Sequence, residues 1–279
     1  MFSRRDFLIT GAALVGGAPG VAAGGKVRIG VTDWNLRQAS NVDAVALAAK
    51  LGFEGLEISL GRKPVDNRLV LDSADLQAQY RAAAGKHKIR LAGTCLDILH
   101  VNYLKSDKLG QKWLADGISI TKKLGAKVML MPFFGKGGLE TPAEMDYVGG
   151  ILKELAPEAK KSGVVLGLEN TLSAENNARI MDRAGSPAVS VFYDVGNSTG
   201  AGFDIIKEMR WLGASRICMI HLKDNPHYLG EGPIDFAKVF QVIRDIGYSG
   251  YADLETNAPS KSVEADMRRN LAFVRKFIG

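Results

Sequence analysis

Short apolar runs recur along the chain from about residue 27 onward, and polar segments with helical periodicity separate them. The runs are rich in Val, Ile and Leu and are almost continuously hydrophobic. This pattern is typical of parallel strands that are buried on both faces. The predicted strands are Val27–Val31, Gly55–Ser59, Arg90–Thr94, Lys127–Met131, Val164–Glu169, Val189–Asp194, Ile217–Leu222 and Tyr251–Glu255.

The segments between these strands carry the residues that begin and end helices. Ser73 and the pair Thr141-Pro142 are of the type that starts a helix, and Gly52 follows a helical pattern that starts at Asn41. The predicted helices include segments 41–50, 74–86, 235–245 and 263–277.

Strand and helix alternate eight times, which predicts one (β/α)₈ TIM barrel of the α/β class over residues 26–279. The alternative is an open, doubly wound sheet. Against it, the segment Gly30–Trp34 after the first strand lacks the glycine-rich fingerprint with which such sheets bind dinucleotides.

Four ligand-type residues, Glu169, Asp194, His221 and Glu255, occur at the ends of predicted strands five to eight. The carboxyl ends of the strands form the catalytic mouth of a TIM barrel, so these side chains should converge. Three carboxylates in one place repel one another unless a cation or protons neutralise them. The sequence therefore predicts a metal centre that suits Mn²⁺ first, with Mg²⁺, Co²⁺ or Zn²⁺ as alternatives.

The segments around these residues contain LGFEGLE (51–57), GLEN (167–170), YDVGN (193–197), HLKD (221–224), LGEGPID (229–235) and GYSGYADLE (247–255). With these motifs the chain resembles the xylose-isomerase-like TIM-barrel superfamily, in particular its sugar epimerases and isomerases similar to D-tagatose 3-epimerase. The resemblance implies that Glu169, Asp194, His221 and Glu255 bind one metal ion. It also implies that Glu169 and Glu255 exchange protons with the substrate.

Five further residues are candidate substrate contacts. Family epimerases often carry a histidine three residues after the strand-six aspartate, where this chain has Asn197, and an arginine six residues after the metal-binding histidine, where it has His227. Because of these departures, the resemblance does not identify the sugar. Glu57 could instead orient a metal ligand, Lys223 could instead offset the negative charge, and Trp34 could instead pack its own loop.

The resemblance predicts an enzyme that moves a proton beside the carbonyl of a sugar through an enediolate, as an epimerase or isomerase. The alternative is a lyase or dehydratase acting on a keto-sugar or keto-inositol, because the same enediolate can expel a β-leaving group. The superfamily also includes DNA-repair endonucleases with histidine-rich metal clusters, but this chain has four histidines in all. A non-catalytic sugar-binding barrel would not need both Glu169 and Glu255.

The first 25 residues resemble a twin-arginine export signal, because Arg4-Arg5 precedes an apolar stretch rich in Gly and Ala. We expect residues 1–25 to be a cleavable signal peptide, with an uncleaved anchor as the alternative. The protein would then be periplasmic or otherwise exported by the twin-arginine route.

The composition is that of a globular protein, with 46% hydrophobic and 24% charged residues. The formal net charge of +6 is spread along the chain without a basic run that contains aromatic residues, so nucleic acid is not an expected partner. We expect a small-molecule sugar as the partner and no stable membrane insertion after signal cleavage. The sequence is compatible with a homo-oligomer.

Overall fold

A computed structural model describes residues 26–278 and shows a closed barrel of parallel strands. The strands follow one another around the barrel in chain order, and β8 pairs with β1. This confirms the predicted TIM barrel, whereas the predicted signal peptide lies outside the described residues. The strands are β1 Arg28–Thr32, β2 Gly55–Ser59, β3 Arg90–Cys95, β4 Val128–Pro132, β5 Val165–Glu169, β6 Val189–Asp194, β7 Ile217–Leu222 and β8 Tyr251–Leu254.

Helices surround the barrel and pack their apolar sides against the outer face of the strands. None of the helices within residues 26–278 combines the length and the apolar character needed to cross a bilayer. The helices are α1 Asp43–Leu51, α2 Ala74–His87, α3 Lys108–Leu124, α4 Pro142–Ser162, α5 Ala174–Ala184, α6 Val195–Gly200, α7 Ile205–Leu212, α8 Phe236–Asp245 and α9 Val263–Val274.

The predicted helix signals work through local hydrogen bonds. The Ser73 hydroxyl accepts the peptide N–H of Leu76 at the start of α2. Thr141 and Glu144 form a reciprocal capping box at the start of α4. Gly52 ends α1 in the left-handed conformation, with φ of 95°, which a residue with a Cβ rarely adopts.

Half of the predicted element ends match the structure, and the others differ by one to three residues, because backbone hydrogen bonding rather than hydrophobicity determines where an element stops. The largest difference is at α9, which stops at Val274. Beyond it Phe277 leaves the helical path and stacks on Phe240 of α8, with ring centroids 5.3 Å apart. Glu57 lies within β2, as in the predicted strand, and Ile58 and Ser59 continue the strand beyond it.

The interior of the barrel has an apolar lower half, at the amino ends of the strands, and a charged upper half. The apolar cluster includes Phe192 of β6, Met219 of β7 and Tyr251 of β8. Side chains two positions apart on a strand face the same side. Asp194 and His221 therefore follow Phe192 and Met219 on the inner face and point towards the mouth.

Candidate active site and metal centre

The four predicted metal ligands come together at the mouth of the barrel. Glu169 ends β5, Asp194 ends β6, His221 lies next to the end of β7, and Glu255 directly follows β8. One potential ligand atom from each residue lies within 4.8 Å of those of the other three. Residues that are distant in sequence share this site because the barrel brings the carboxyl ends of consecutive strands together.

The imidazole of His221 is at the centre of this cluster. Its Nδ1 lies 3.1 Å from Oε1 of Glu169, 3.5 Å from Oε2 of Glu255 and 3.7 Å from Oδ2 of Asp194. The imidazole is fully buried, and the ring of Phe192 lies against it with centroids 4.5 Å apart. This packing holds the ring so that Nδ1 faces the three carboxylates.

Glu57 contacts the opposite edge of the same imidazole. Its Oε2 lies 2.8 Å from Nε2 of His221, and both side chains have no exposed surface. If Nε2 donates its hydrogen to Glu57, Nδ1 keeps the lone pair that a metal ligand needs. Glu57 is fully buried beneath His221, and this position supports the alternative in which Glu57 orients a metal ligand. Its predicted contact with substrate stays a prediction.

Lys223 reaches the carboxylates from above. Its Nζ lies 2.9 Å from Oδ2 of Asp194 and also pairs with Glu255. Burial lowers the pKa of Lys223, but the charges of Asp194 and Glu255 raise it above its ordinary value overall. A Cβ on Gly196 would lie 2.8 Å from Cγ of Lys223, so glycine at this position makes room for the lysine.

Asn197 and Trp34 hold two of the acidic side chains in place. The peptide N–H of Asn197 donates to Oδ1 of Asp194 over 2.8 Å, and its amide Nδ2 lies 3.4 Å from Oε1 of Glu169. The indole Nε1 of Trp34 donates to Oε1 of Glu255 over 3.0 Å. Through this hydrogen bond the indole N–H of Trp34 orients a candidate catalytic carboxylate.

The ionisable groups of the site perturb one another. Burial raises the pKa of Glu169 to about 7, although the hydrogen bond and charge of His221 oppose the rise. Burial also raises the pKa of Glu255, but the charges of His221 and Lys223 outweigh it and lower that pKa to about 2. Burial lowers the pKa of His221, whereas the charges of Glu255 and Glu57 raise it well above the ordinary value.

The donor set fits a divalent metal ion. Oδ2 of Asp194 is buried and accepts no hydrogen bond despite the nearby ammonium of Lys223. A bound cation would satisfy this oxygen and would favour the charged forms of the three carboxylates. Carboxylate oxygens with one imidazole nitrogen suit Mn²⁺ or Mg²⁺ better than metals that prefer sulfur.

The mouth above the cluster is a cavity of about 360 Å³. Glu169 and Glu255 line it, whereas Asp194 and His221 do not. Its other lining residues are Trp34, Arg62, Cys95, Asp97, His100, Pro132, Phe134, Asn197 and Lys223. Trp34, Asn197 and Lys223 therefore lie at the mouth, and their contact with substrate stays a prediction.

Sequence reasoning missed Arg62 and Asp97. Both lie a few residues beyond predicted strands, in the loops after β2 and β3. Their position after a strand was the available signal, because loops at the carboxyl ends of barrel strands form the mouth. Neither residue belongs to a motif that carries the family resemblance, so nothing in the local sequence separated it from other polar loop residues.

The structure does not place His227 at the site. Its peptide N–H donates to the carbonyl oxygen of Asp224 over 2.9 Å in a turn after β7. This turn carries the side chain to the surface, where it is exposed and outside the lining of the mouth. The substrate contact through His227 therefore stays a prediction that its position outside the mouth does not support.

Comparison with known proteins agrees with the fold. The family described as "Xylose isomerase-like TIM barrel" matches residues 45–277, and the chain belongs to this family. A curated relative, 2-epi-5-epi-valiolone 7-phosphate 2-epimerase from Actinoplanes sp., is 27% identical over 213 residues, which cover 74% of this chain and 76% of the relative.

Solved structures with the same fold include two sugar epimerases. A D-psicose 3-epimerase structure has a TM-score of 0.76 at 16% identity and covers 91% of this chain and 100% of that one. A 3-keto-D-glucoside 4-epimerase from E. coli has a TM-score of 0.71 at 17% identity and covers 90% and 100%. At these identities the likeness establishes the barrel fold alone.

Proposed function

We propose that this protein is a metal-dependent sugar epimerase or isomerase that transfers a proton next to a carbonyl through an enediolate. One observation carries the proposal: of the four clustered ligand-type residues, only Glu169 and Glu255 line the mouth. Asp194 and His221 lie beneath it, with exposed fractions of 2% and 0%. All four residues can hold a metal ion, but only Glu169 and Glu255 are also placed where a substrate in the mouth can reach them.

In this proposal Glu169 and Glu255 are the acid/base pair. They extend from β5 and β8, so they can approach a bound sugar from different sides. One glutamate removes the proton from the carbon beside the carbonyl, and the other returns a proton to the resulting enediolate. Return at the opposite face of the same carbon gives the epimer, and return at the neighbouring carbon gives the isomer.

Glu169, Asp194, His221 and Glu255 would hold one divalent metal ion, with Mn²⁺ the first candidate because oxygen donors predominate. Such an ion supplies Lewis-acid polarisation of a carbonyl oxygen. Lys223 lines the mouth beside the same carboxylates, so we assign its ammonium to contact with a substrate oxygen. Trp34 and Asn197 fix the orientations of Glu255 and Glu169, which limits the positions from which each can reach the substrate carbon.

The relative from Actinoplanes supports this proposal, because it is a 2-epi-5-epi-valiolone 7-phosphate 2-epimerase. It is similar over most of both chains. The epimerases among the solved structures support the fold that such chemistry uses.

Solvent exchange tests the proposal. The Mn²⁺-loaded protein is incubated in deuterated water with ketoses, aldoses, 3-keto-glucosides and sugar phosphates, and the sugars are analysed by NMR and mass spectrometry. We expect one deuterium to enter beside the carbonyl of one sugar, together with an epimer or isomer of conserved composition. Loss of water or an alcohol from that sugar would instead establish the lyase or dehydratase alternative. Absence of deuterium from every sugar would contradict both.

We also propose that residues 1–25 direct export by the twin-arginine route and are then removed. The pair Arg4-Arg5 and the apolar stretch after it support this. Amino-terminal sequencing of the protein isolated from its native cells tests the proposal. A mature chain that still contains Arg4-Arg5 would contradict cleavage, and recovery from the cytoplasmic fraction would contradict export.

A further inference from the structure

A second group of side chains lines the mouth on the side away from the metal ligands. The predicted metal ligands lie at the ends of the four strands β5 to β8. In contrast, Arg62 lies in the loop after β2, Asp97 and His100 lie in the segment after β3, and Phe134 follows β4. The reaction described above uses none of these four residues. Since they line the same cavity as Glu169 and Glu255, a substrate with its carbonyl at the glutamates would extend towards them.

The polar groups on this side have unused hydrogen-bonding capacity. Within residues 26–278 the guanidinium of Arg62 makes no hydrogen bond or ion pair. Oδ2 of Asp97 is buried and has no hydrogen-bond partner. Arg62 offers only donors, and an ionised Asp97 offers only acceptors. Together they can satisfy hydroxyl groups, each of which donates one hydrogen and accepts others.

The aromatic groups provide a flat surface beside these polar residues. The rings of His100 and Phe134 are stacked, with centroids 6.2 Å apart and planes at 22°. Rigid aromatic rings supply apolar contact area at a low cost in side-chain entropy. An aromatic surface combined with a few polar groups is the usual composition of a small-molecule site, and it matches the C–H face and the hydroxyl edge of a sugar ring.

Asp97 also favours uncharged ligands over anionic ones. A phosphate or carboxylate would gain the charge of Arg62, but Asp97 would repel it and would find no hydrogen to accept. A neutral polyol can use both residues. The pairing of an unused donor with an unused acceptor therefore favours an uncharged ligand end over an anionic one.

We propose that Arg62, Asp97, His100 and Phe134 form a specificity subsite for the uncharged, hydroxyl-bearing end of the sugar. The placement of the carbonyl end at Glu169 and Glu255 rests on the proposed function. The substrate class is accordingly a neutral keto-sugar, rather than a sugar phosphate or a sugar acid.

Ligand-observed NMR tests the subsite without requiring turnover. Saturation-transfer titrations of the protein loaded with diamagnetic Mg²⁺, using D-fructose, D-fructose 6-phosphate and methyl β-D-glucopyranoside, give dissociation constants and show which sugar protons contact the protein. The variants are Arg62→Gln, Asp97→Asn and Phe134→Leu. Lys63→Gln is the matched control, because Lys63 is an exposed cation next to Arg62 that does not line the mouth.

We expect the neutral sugars to bind more tightly than the phosphate. Arg62→Gln and Asp97→Asn should each weaken the binding of neutral sugars by about 10-fold, as expected for one lost hydrogen bond to a charged group. Phe134→Leu should reduce transfer to the protons of the sugar face, and Lys63→Gln should bind like the wild type. Arg62 is exposed, so its replacement tests the subsite even if Asp97→Asn fails to fold.

Three results would overturn the subsite: tighter binding of D-fructose 6-phosphate, unchanged binding in the Arg62 and Asp97 variants, or no binding of any neutral sugar. Deuterium exchange reports separately on the chemistry at Glu169 and Glu255. Exchange into a sugar phosphate would refute the subsite and leave the proposed function standing. Binding of neutral sugars through the subsite without any deuterium exchange would support the subsite and refute the proposed function.

Discussion

The two halves of the barrel interior differ in character although the same strands build both. In the lower half Phe192 and Met219 pack in an apolar cluster with almost no exposed surface. Two residues further along the same strands, Asp194 and His221 begin the charged half. There the carboxyl group of Asp253 is fully buried, neither of its oxygens has a hydrogen-bond partner, and burial raises its pKa well above the ordinary value.

This difference shows which half stabilises the fold and which half provides the chemistry. Burying a Phe or Met side chain contributes about 1.5–3 kcal/mol. A buried charge without adequate partners costs several kcal/mol, and an excess of carboxylates over cations increases the cost. The apolar half therefore stabilises the barrel, and the charged half depends on that stability until a cation neutralises it.

The largest expected effect is on turnover in the charged half. Replacing Glu169 or Glu255 by Gln removes a base but keeps its size, so turnover of the sugar identified by deuterium exchange should fall about 10²–10⁴-fold. The free energy of unfolding of the metal-free protein should not decrease for Glu169→Gln, because burial disfavours the charge of Glu169 and raises its pKa. It should decrease for Glu255→Gln, because this change removes the ion pair with Lys223 that lowers the pKa of Glu255. Steady-state kinetics and urea unfolding measure the two effects.

The corresponding control is Glu140→Gln, at an exposed position outside the site. It should leave both turnover and stability unchanged. Near-normal turnover in both active-site variants with metal bound would refute the two-carboxylate mechanism.

The second prediction concerns the apolar half. Phe192→Ala should lower the free energy of unfolding by about 3–5 kcal/mol, because it creates a cavity in the core. It should also weaken metal binding, since the ring of Phe192 packs against His221. Urea unfolding and calorimetric titration with Mn²⁺ measure these effects.

Phe240→Ala is the matched control for this prediction. Phe240 is equally buried but packs outside the barrel on Phe277 of the carboxyl-terminal segment. This variant should lose similar stability and keep the wild-type affinity for metal. Equal loss of metal affinity in both variants would show that the apolar half does not support the site specifically.

The third prediction is that metal binding stabilises the whole protein. At a free Mn²⁺ concentration 100 times the dissociation constant, the free energy of unfolding should rise by about 2.7 kcal/mol. Thermal unfolding with Mn²⁺ and with chelator measures the shift. The variant His221→Gln should show little of this stabilisation. If the wild type unfolds at the same midpoint temperature with Mn²⁺ and with chelator, the result argues against a metal centre.

The smallest expected effect comes from Glu57, which touches the site through His221 alone. Glu57→Gln should weaken Mn²⁺ binding by about 10–100-fold, because the hydrogen-bond partner of a metal-binding histidine fixes its orientation. Glu54→Gln makes the same chemical change outside the site and should leave Mn²⁺ affinity unchanged. If calorimetric titration shows identical affinities for both variants, Glu57 does not orient the imidazole.

The sequence by itself determined the barrel and the four clustered ligand-type residues. Parallel strands buried on both faces leave continuous apolar runs, and helix caps leave local signatures, so both kinds of element were predicted to within a few residues. Since a barrel aligns the carboxyl ends of its strands, a polar residue at the end of such a run points to the mouth. The sequence alone was therefore enough to predict that four residues meet at the mouth, namely Glu169, Asp194, His221 and Glu255.

Only the tertiary structure decided what those residues contact. Trp34 donates to Glu255 across 221 positions of sequence, and Glu57 holds His221 across 164. The register between strands and the paths of the loops bring these pairs together, and neither leaves a pattern in the local sequence. For the same reason the sequence did not predict that Arg62 and Asp97 line the mouth. It also did not predict the turn after β7 that places His227 outside the mouth.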